Sequence, residues 1–402
     1  MSGAGRTASA LRWLRRGASR AIHPLSFVSF GFGTVLAVIY TRVGAPQDWR
    51  LFYDTALLLL SGRVDELYPG VTAGYPFLYP PPFVWHVAWL GFLSPGAAHV
   101  SLVLAMITAL LAALWLLHTR LDDRGRRLDS WIFAVLSSAS WFWLVTAGHI
   151  AAWFVLLIAM TLVLWTSGKE FAAGLPLGLL VMKPHYCVPI LLCVGLARAW
   201  RVLAGAFIVI ALLALSTLPL GAIVWTKYFA QFGSLRGVVS AIAPWKQITL
   251  LAFWRSVFGE NSPRMVVVAT ALSAAPCVAF VAVAWIRLAR KAVAIPRLLA
   301  LTVLMLLSCN AYAFHYDGLL LAIPGAVWYL RDHEYANEKH HLAVGILIFF
   351  AFAAQHASSL LREDGVALTG PVLAAWLIID GRDLFASHIG REGRPLYSRF
   401  SQ

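Results

Sequence analysis

Four stretches of this sequence put ionisable residues between long apolar runs, and each has residue types that can do chemistry. The first, residues 44–82, reads GAPQDWRLFYDTALLLLSGRVDELYPGVTAGYPFLYPPP and holds the carboxylates Asp48, Asp54, Asp65 and Glu66 beside Arg50 and Arg63. Asp48 stands just past the end of an apolar segment, where a carboxylate can project into an outer cavity and take a proton from a hydroxyl nucleophile. Asp is also a preferred helix cap, and the two roles are compatible. Asp54, further along, can face the same cavity or water. Asp65 and Glu66 sit in a turn with Arg63 and read as solvated surface.

The second stretch, Lys183-Pro184-His185-Tyr186, interrupts two apolar runs. An ammonium and an imidazole at a membrane boundary suit a lipid phosphate, although a lysine there can also simply snorkel to the interface. His149, after Gly148, makes a weaker case of the same kind. The third is His315-Tyr316-Asp317 within CNAYAFHYDG. Ionisable groups between apolar helices are costly and point to function, the competing account being a structural His–Asp hydrogen bond. The fourth, residues 223–263, interleaves Trp225, Tyr228, Trp245 and Trp254 with Lys227, Arg236, Lys246 and Arg255. The cations can grip a phosphate; the tryptophans taken singly fit an interfacial aromatic belt. Tyr79, His149, Tyr316, Asp317 and Asp54 are the further candidates for lining such a site.

The elements that must position these residues are membrane helices. Sixty per cent of the 402 residues are hydrophobic and mean hydropathy is +0.75. The apolar runs have helix length and do not alternate over short strands, so an all-α polytopic membrane protein is expected, not a barrel. The net charge of +14 comes from Lys and Arg blocks between apolar segments, which insertion orientation explains without nucleic acid. The four cysteines lie in or beside apolar runs without CxxC spacing and read as small core residues. DxD, HExxH, EF-hand, P-loop and GxGxxG patterns are all missing, so neither a metal nor a nucleotide cofactor is expected.

In order, candidate spans are 27–40, 83–118, 130–147, 150–167, 171–183, 187–199, 202–222, 264–287, 298–310, 317–330, 341–358 and 367–380. Residues 83–118 are broken at Leu93-Ser94-Pro95-Gly96, and counting them as one net crossing puts the arginines of 119–129 in the cytoplasm, for about twelve crossings. The basic N-terminus, residues 1–25, lacks a cleavable signal pattern and is expected inside, as is the basic tail 381–402. The first outer loop, 44–82, and a second, 223–263, then converge with His149, Lys183 and His315 on the outer face. Trp49 to Leu60 has the pattern of an interfacial amphipathic helix stopped by Ser61-Gly62. Tyr75 to Pro82 cannot be regular helix. The chain is expected to be one integral-membrane domain, 1–402, without internal repeats.

The order of several motifs resembles glycosyltransferase family 87: Asp48 with Phe52-Tyr53, Gly62 before Leu67-Tyr68, Tyr79-Pro80-Pro81-Pro82-Phe83, Lys183-Pro184 ahead of Arg198 and Arg201, and His315-Tyr316. The resemblance implies the GT-C type of membrane helical bundle and a polyprenyl-phosphate sugar donor, mannose above all. It also implies transfer to a glycolipid or cell-envelope glycan at the outer face of a bacterial-type plasma membrane, without a metal. It makes Asp48 the general base and places His315 where a second catalytic or donor-positioning group is expected. Lys183, His185, Arg236, Lys246 and Arg255 are the expected phosphate and lipid contacts. Gly148-His149 departs from the Gly-Gln type of pair the resemblance leads one to expect, which leaves the sugar open. The alternative from another class is a proton-coupled lipid or solute transporter using Asp48, His315 and Asp317 as a relay.

Overall fold

The computed structural model describes residues 48–68, 77–122, 132, 135–136, 138–231, 242–259, 261–289, 294–331, 338–361 and 365–389. The expected first span at 27–40, both basic termini up to residue 25 and from 390, and Arg236 lie outside the described residues. Among the described residues the regular elements are helical, and an isolated antiparallel bridge joins Gln247 to Phe314.

Helix α1, Asp48–Leu60, turns Phe52, Thr55 and Ala56 inward and leaves Asp54 and Leu57 exposed. Its end is the expected one: Gly62 has φ +73°, and the Arg63 amide returns to the Leu58 carbonyl at 2.9 Å. Pro80 keeps the chain extended, and the prolines at 81 and 82 then open a short 3-10 turn. Residues 84–92 make two further short helical turns packed on α1, with the Tyr53 hydroxyl donating to the Leu93 carbonyl at 3.1 Å. Only then does α2, Pro95–Leu121, run long enough to cross a membrane. Residues 83–118 thus contain one membrane-length helix.

The following helices are α3 Ala139–Ala147, α4 Ala151–Thr166, α5 Glu170–Leu179, α6 Pro184–Leu196, α7 Trp200–Ser216 and α8 Ala222–Ala230. Then come α9 Leu250–Phe258, α10 Pro263–Leu288, α11 Ile295–Cys309, α12 Ala322–Leu330, α13 Glu338–Leu361 and α14 Thr369–Ile389. Four of the described helical stretches are long and apolar enough to cross a membrane: α2, α7 with its extension to Leu220, α10 and α13. Shorter apolar helices include α4, α6 and α11. The stretch 223–263, expected as a loop, is helical at both ends. There α9 is capped by Thr249, whose hydroxyl accepts from the Ala252 amide at 3.1 Å.

Helix α11 is buried from Ile295 to Ser308 on all sides, as expected of an element without a polar face at the centre of a bundle. It packs against α4, α6, α10, α12 and α14. At one end Arg297 meets Asp380 at 2.5 Å and Asp383 at 3.1 Å, and His340 lies 3.2 Å from Asp383. At the other end the chain breaks into residues 310–317, which build the site.

Candidate active site

The break after α11 is organised by its own side chains. The Asn310 amide group donates to the His185 carbonyl at 3.2 Å, and its oxygen accepts from the Tyr312 amide at 2.8 Å. The Ile248 amide donates to the Ala313 carbonyl at 3.1 Å, which docks the segment carrying Trp245 and Lys246 onto the break. Asp317 accepts from the Phe314 amide at 2.9 Å with one oxygen and forms an ion pair with Lys183 through the other. Both partners are buried, Asp317 fully, which neither would tolerate alone.

Lys183 precedes Pro184, the first residue of α6, and its ammonium lies 4.5 Å from the Tyr186 ring centre and 5.6 Å from that of Tyr316. This corrects the snorkelling alternative: the side chain points into protein. His315 does not bond Asp317. Its Nε2 faces the Trp245 carbonyl and, since a carbonyl only accepts, carries the proton. Its ring lies parallel to Trp143 at 6.3 Å.

Gly148 ends α3 in the left-handed region at φ +65°, and a Cβ there would come within 2.6 Å of Trp49 Cβ. A side chain is therefore excluded twice over, and the turn between α3 and α4 is pressed against the start of α1. His149 accepts the Ala151 amide at Nδ1 (3.1 Å) and meets the Tyr79 hydroxyl at Nε2 (3.2 Å). Its ring stacks on Tyr316 at 3.5 Å. Phe52, one turn beyond Asp48 on the same face of α1, packs on Tyr79 at 5.5 Å and on His149 at 6.4 Å.

Asp48 is the first residue of α1, and its carboxyl makes no ion pair with a described residue. Burial, followed by the Asp317 charge, raises it to about 7, against the opposing pull of Lys183 and Lys246. A carboxyl tuned this way is a proton acceptor near neutral pH. Lys246 is half-buried, stands 5.3 Å over the Trp245 ring, and pairs with no carboxylate among the described residues.

Of the residues singled out from the sequence, Asp48, Tyr79, His149, Lys183, His185, Lys246, Tyr316 and Asp317 come into one neighbourhood. Asp54 does not: it is exposed and is no lining residue. Asp65 and Glu66 are exposed, Glu66 pairing with Arg63. Arg255 is buried and donates to the Ile242 carbonyl at 2.9 Å, a contact that ties down its own segment. Asn310 and Tyr312 were missed, although they stand in the same polar run as His315. Among the described residues no group of three or more His, Cys, Asp or Glu side chains is placed to hold a metal.

The profile described as Glycosyltransferase family 87 matches residues 77–312. The chain belongs to glycosyltransferase family 87. No curated protein and no solved structure matches it. For this family 87 glycosyltransferase the matched stretch includes Tyr79, His149, Lys183 and Lys246. Asp48 and the His315 to Asp317 segment lie outside it, so the family match does not reach them.

Proposed function

We propose that this glycosyltransferase moves a sugar, mannose before others, from a polyprenyl-phosphate donor to a glycolipid or cell-envelope glycan. The reaction takes place at the outer face of a bacterial-type plasma membrane, in a GT-C-type bundle of about twelve crossings oriented by its basic blocks. The observation that carries the mechanism is Asp48, a carboxyl with no ion-pair partner among the described residues, raised to about 7 and acted on by two lysines. The acceptor hydroxyl gives its proton to Asp48 as its oxygen bonds to the anomeric carbon. The bond from that carbon to the phosphate oxygen breaks, and polyprenyl phosphate leaves with the electron pair. One such displacement inverts the anomeric centre.

A phosphate leaving group needs its charge neutralised more than it needs a proton. Lys246, which pairs with no carboxylate among the described residues, is suited to do so, because Lys183 is already neutralised by Asp317. Lys183 with His185 then forms the floor of the site, and His315 acts as a positioning residue that holds the Trp245 carbonyl and with it Lys246. A resident cofactor has no step in this scheme. A relay through Asp48, His315 and Asp317, as a transporter would use, finds no favour in these pairings, since His315 and Asp317 are each engaged elsewhere.

The test is transfer in vitro from polyprenyl-phosphate mannose to membrane glycolipid extract. Asp48→Asn is expected to lose about 10²- to 10⁴-fold in kcat, the usual worth of a general base. Activity like that of the wild type at saturating donor would refute the base assignment.

A further inference from the structure

The hydrogen bonds at Tyr79 run in one direction. The Ala151 amide donates to His149 Nδ1, so the neutral ring carries its proton on Nε2. That proton points at the Tyr79 hydroxyl oxygen, 3.2 Å away. The tyrosine oxygen is thereby an acceptor toward His149, and its own O–H is left to donate elsewhere.

The position of this hydroxyl is over-determined. The Tyr79 carbonyl accepts from the Tyr68 hydroxyl at 2.9 Å, which anchors the backbone. Its ring stacks on Phe83 at 4.1 Å and 20°, and meets Phe52 at 5.5 Å and Phe77 at 5.6 Å. A donor held this firmly needs no reorganisation when a ligand arrives. Phe52, on which the Tyr79 ring packs, lies one helical turn from Asp48, so a neutral O–H donor and aromatic rings stand in the neighbourhood of the carboxyl.

His149 stacks on the Tyr316 ring at 3.5 Å, and the Lys183 ammonium, already paired with Asp317, lies 5.6 Å from the same ring centre. An anionic phosphate belongs with the lysines. A neutral polyhydroxylated ring, which both donates and accepts hydrogen bonds and has apolar C–H faces, matches a neutral O–H donor set among aromatic rings.

We propose that Tyr79, oriented by His149, donates a hydrogen bond to a hydroxyl oxygen of the sugar being transferred, so that this pair selects the sugar rather than the lipid carrier. The proposal rests on the polyprenyl-phosphate donor reading above. The departure at Gly148-His149 acquires a meaning: His149 sets the direction of the sugar-reading hydroxyl.

The experiment measures equilibrium binding of three lipids to the full chain in nanodiscs: polyprenyl phosphate carrying mannose, carrying glucose, and bare. Tyr79→Phe keeps every ring contact and removes only the hydroxyl. It is expected to weaken the preferred sugar-bearing lipid about three- to tenfold, the usual worth of one neutral hydrogen bond, and to leave the bare lipid unchanged. His149→Ala should follow it. His149→Gln, which keeps an N–H donor toward Tyr79, should recover most of the loss, which a purely structural role for the imidazole would not allow.

Equal weakening of sugar-bearing and bare lipids by Tyr79→Phe, or no weakening of either, overturns the assignment. So does a wild type that prefers neither sugar over the bare lipid. A wild type that binds none of the three removes the donor reading itself, a result separable from the others.

Discussion

Asp48 and Asp317 are two carboxyls of one neighbourhood with opposite fates. Asp317 is fully buried, holds the Phe314 amide and is matched by Lys183. Asp48 has no such partner and is pushed up to about 7 by burial and by its neighbour's charge. As the proposed base it must be deprotonated, so kcat/KM is expected to rise with pH through about 7 and to level off above it. Asp317→Asn removes the negative neighbour and frees the Lys183 charge. Both changes favour ionised Asp48, so the acidic limb should move to lower pH in whatever enzyme remains folded, and a pH–rate profile reads it directly. The same substitution leaves Lys183 buried and unmatched, at a cost of about 3–5 kcal/mol, and Lys183→Met in the Asp317→Asn background should recover much of the thermal stability. Lys246→Gln should raise the donor KM about tenfold or more, the usual scale for a hydrogen bond to a charged group, with little change in melting temperature. An unchanged KM would hand the phosphate to another cation.

Helix α1 does two jobs from one face, since Asp48 and Phe52 are a turn apart and Trp49 backs onto the turn between α3 and α4. That turn depends on Gly148, whose left-handed backbone and close approach to Trp49 leave no room for a side chain. Gly148→Ala is therefore expected to push α1 away from His149, with a larger loss in kcat than in donor affinity, because Lys183 and Lys246 are carried by other elements. The sequence pattern already bounded α1 by its amphipathic spacing and by Ser61-Gly62. It placed the prolines at 80–82 outside regular helix for a local reason, the missing amide. The contact between Gly148 and Trp49 has no such local signal, because it joins residues about a hundred positions apart.

Across the whole molecule α11 connects two buried ionic centres. Arg297 with Asp380, Asp383 and His340 lies at one end, and the Asn310 to Asp317 break begins at the other. At 1.5 Å per residue the twelve positions from Arg297 to Cys309 span about 18 Å, so the two centres sit toward opposite ends of the bundle. Arg297→Ala removes the buried guanidinium that Asp380 and Asp383 share and is expected to cost about 3–5 kcal/mol of stability, measured as a fall in detergent melting temperature. At that distance the donor KM of the surviving enzyme should be unchanged.

Composition and the periodic apolar runs were enough to establish from the sequence a helical membrane protein, because lipid allows few ways to satisfy a backbone. Motif order likewise pointed to glycosyltransferase family 87, and ionisable residues between apolar segments marked Asp48, Lys183 and His315. The tertiary structure decided how those charges are partnered. Asp317 binds Lys183 and not His315, Lys246 pairs with no carboxylate among the described residues, Asp54 faces outward, and Arg255 donates to a backbone carbonyl. Pairing depends on which distant segments meet, here 183 with 317, 245 with 315 and 79 with 149. Local spacing carries no information about such meetings, and in a low-dielectric interior the partner determines whether a charged group supports the fold or stands ready for chemistry.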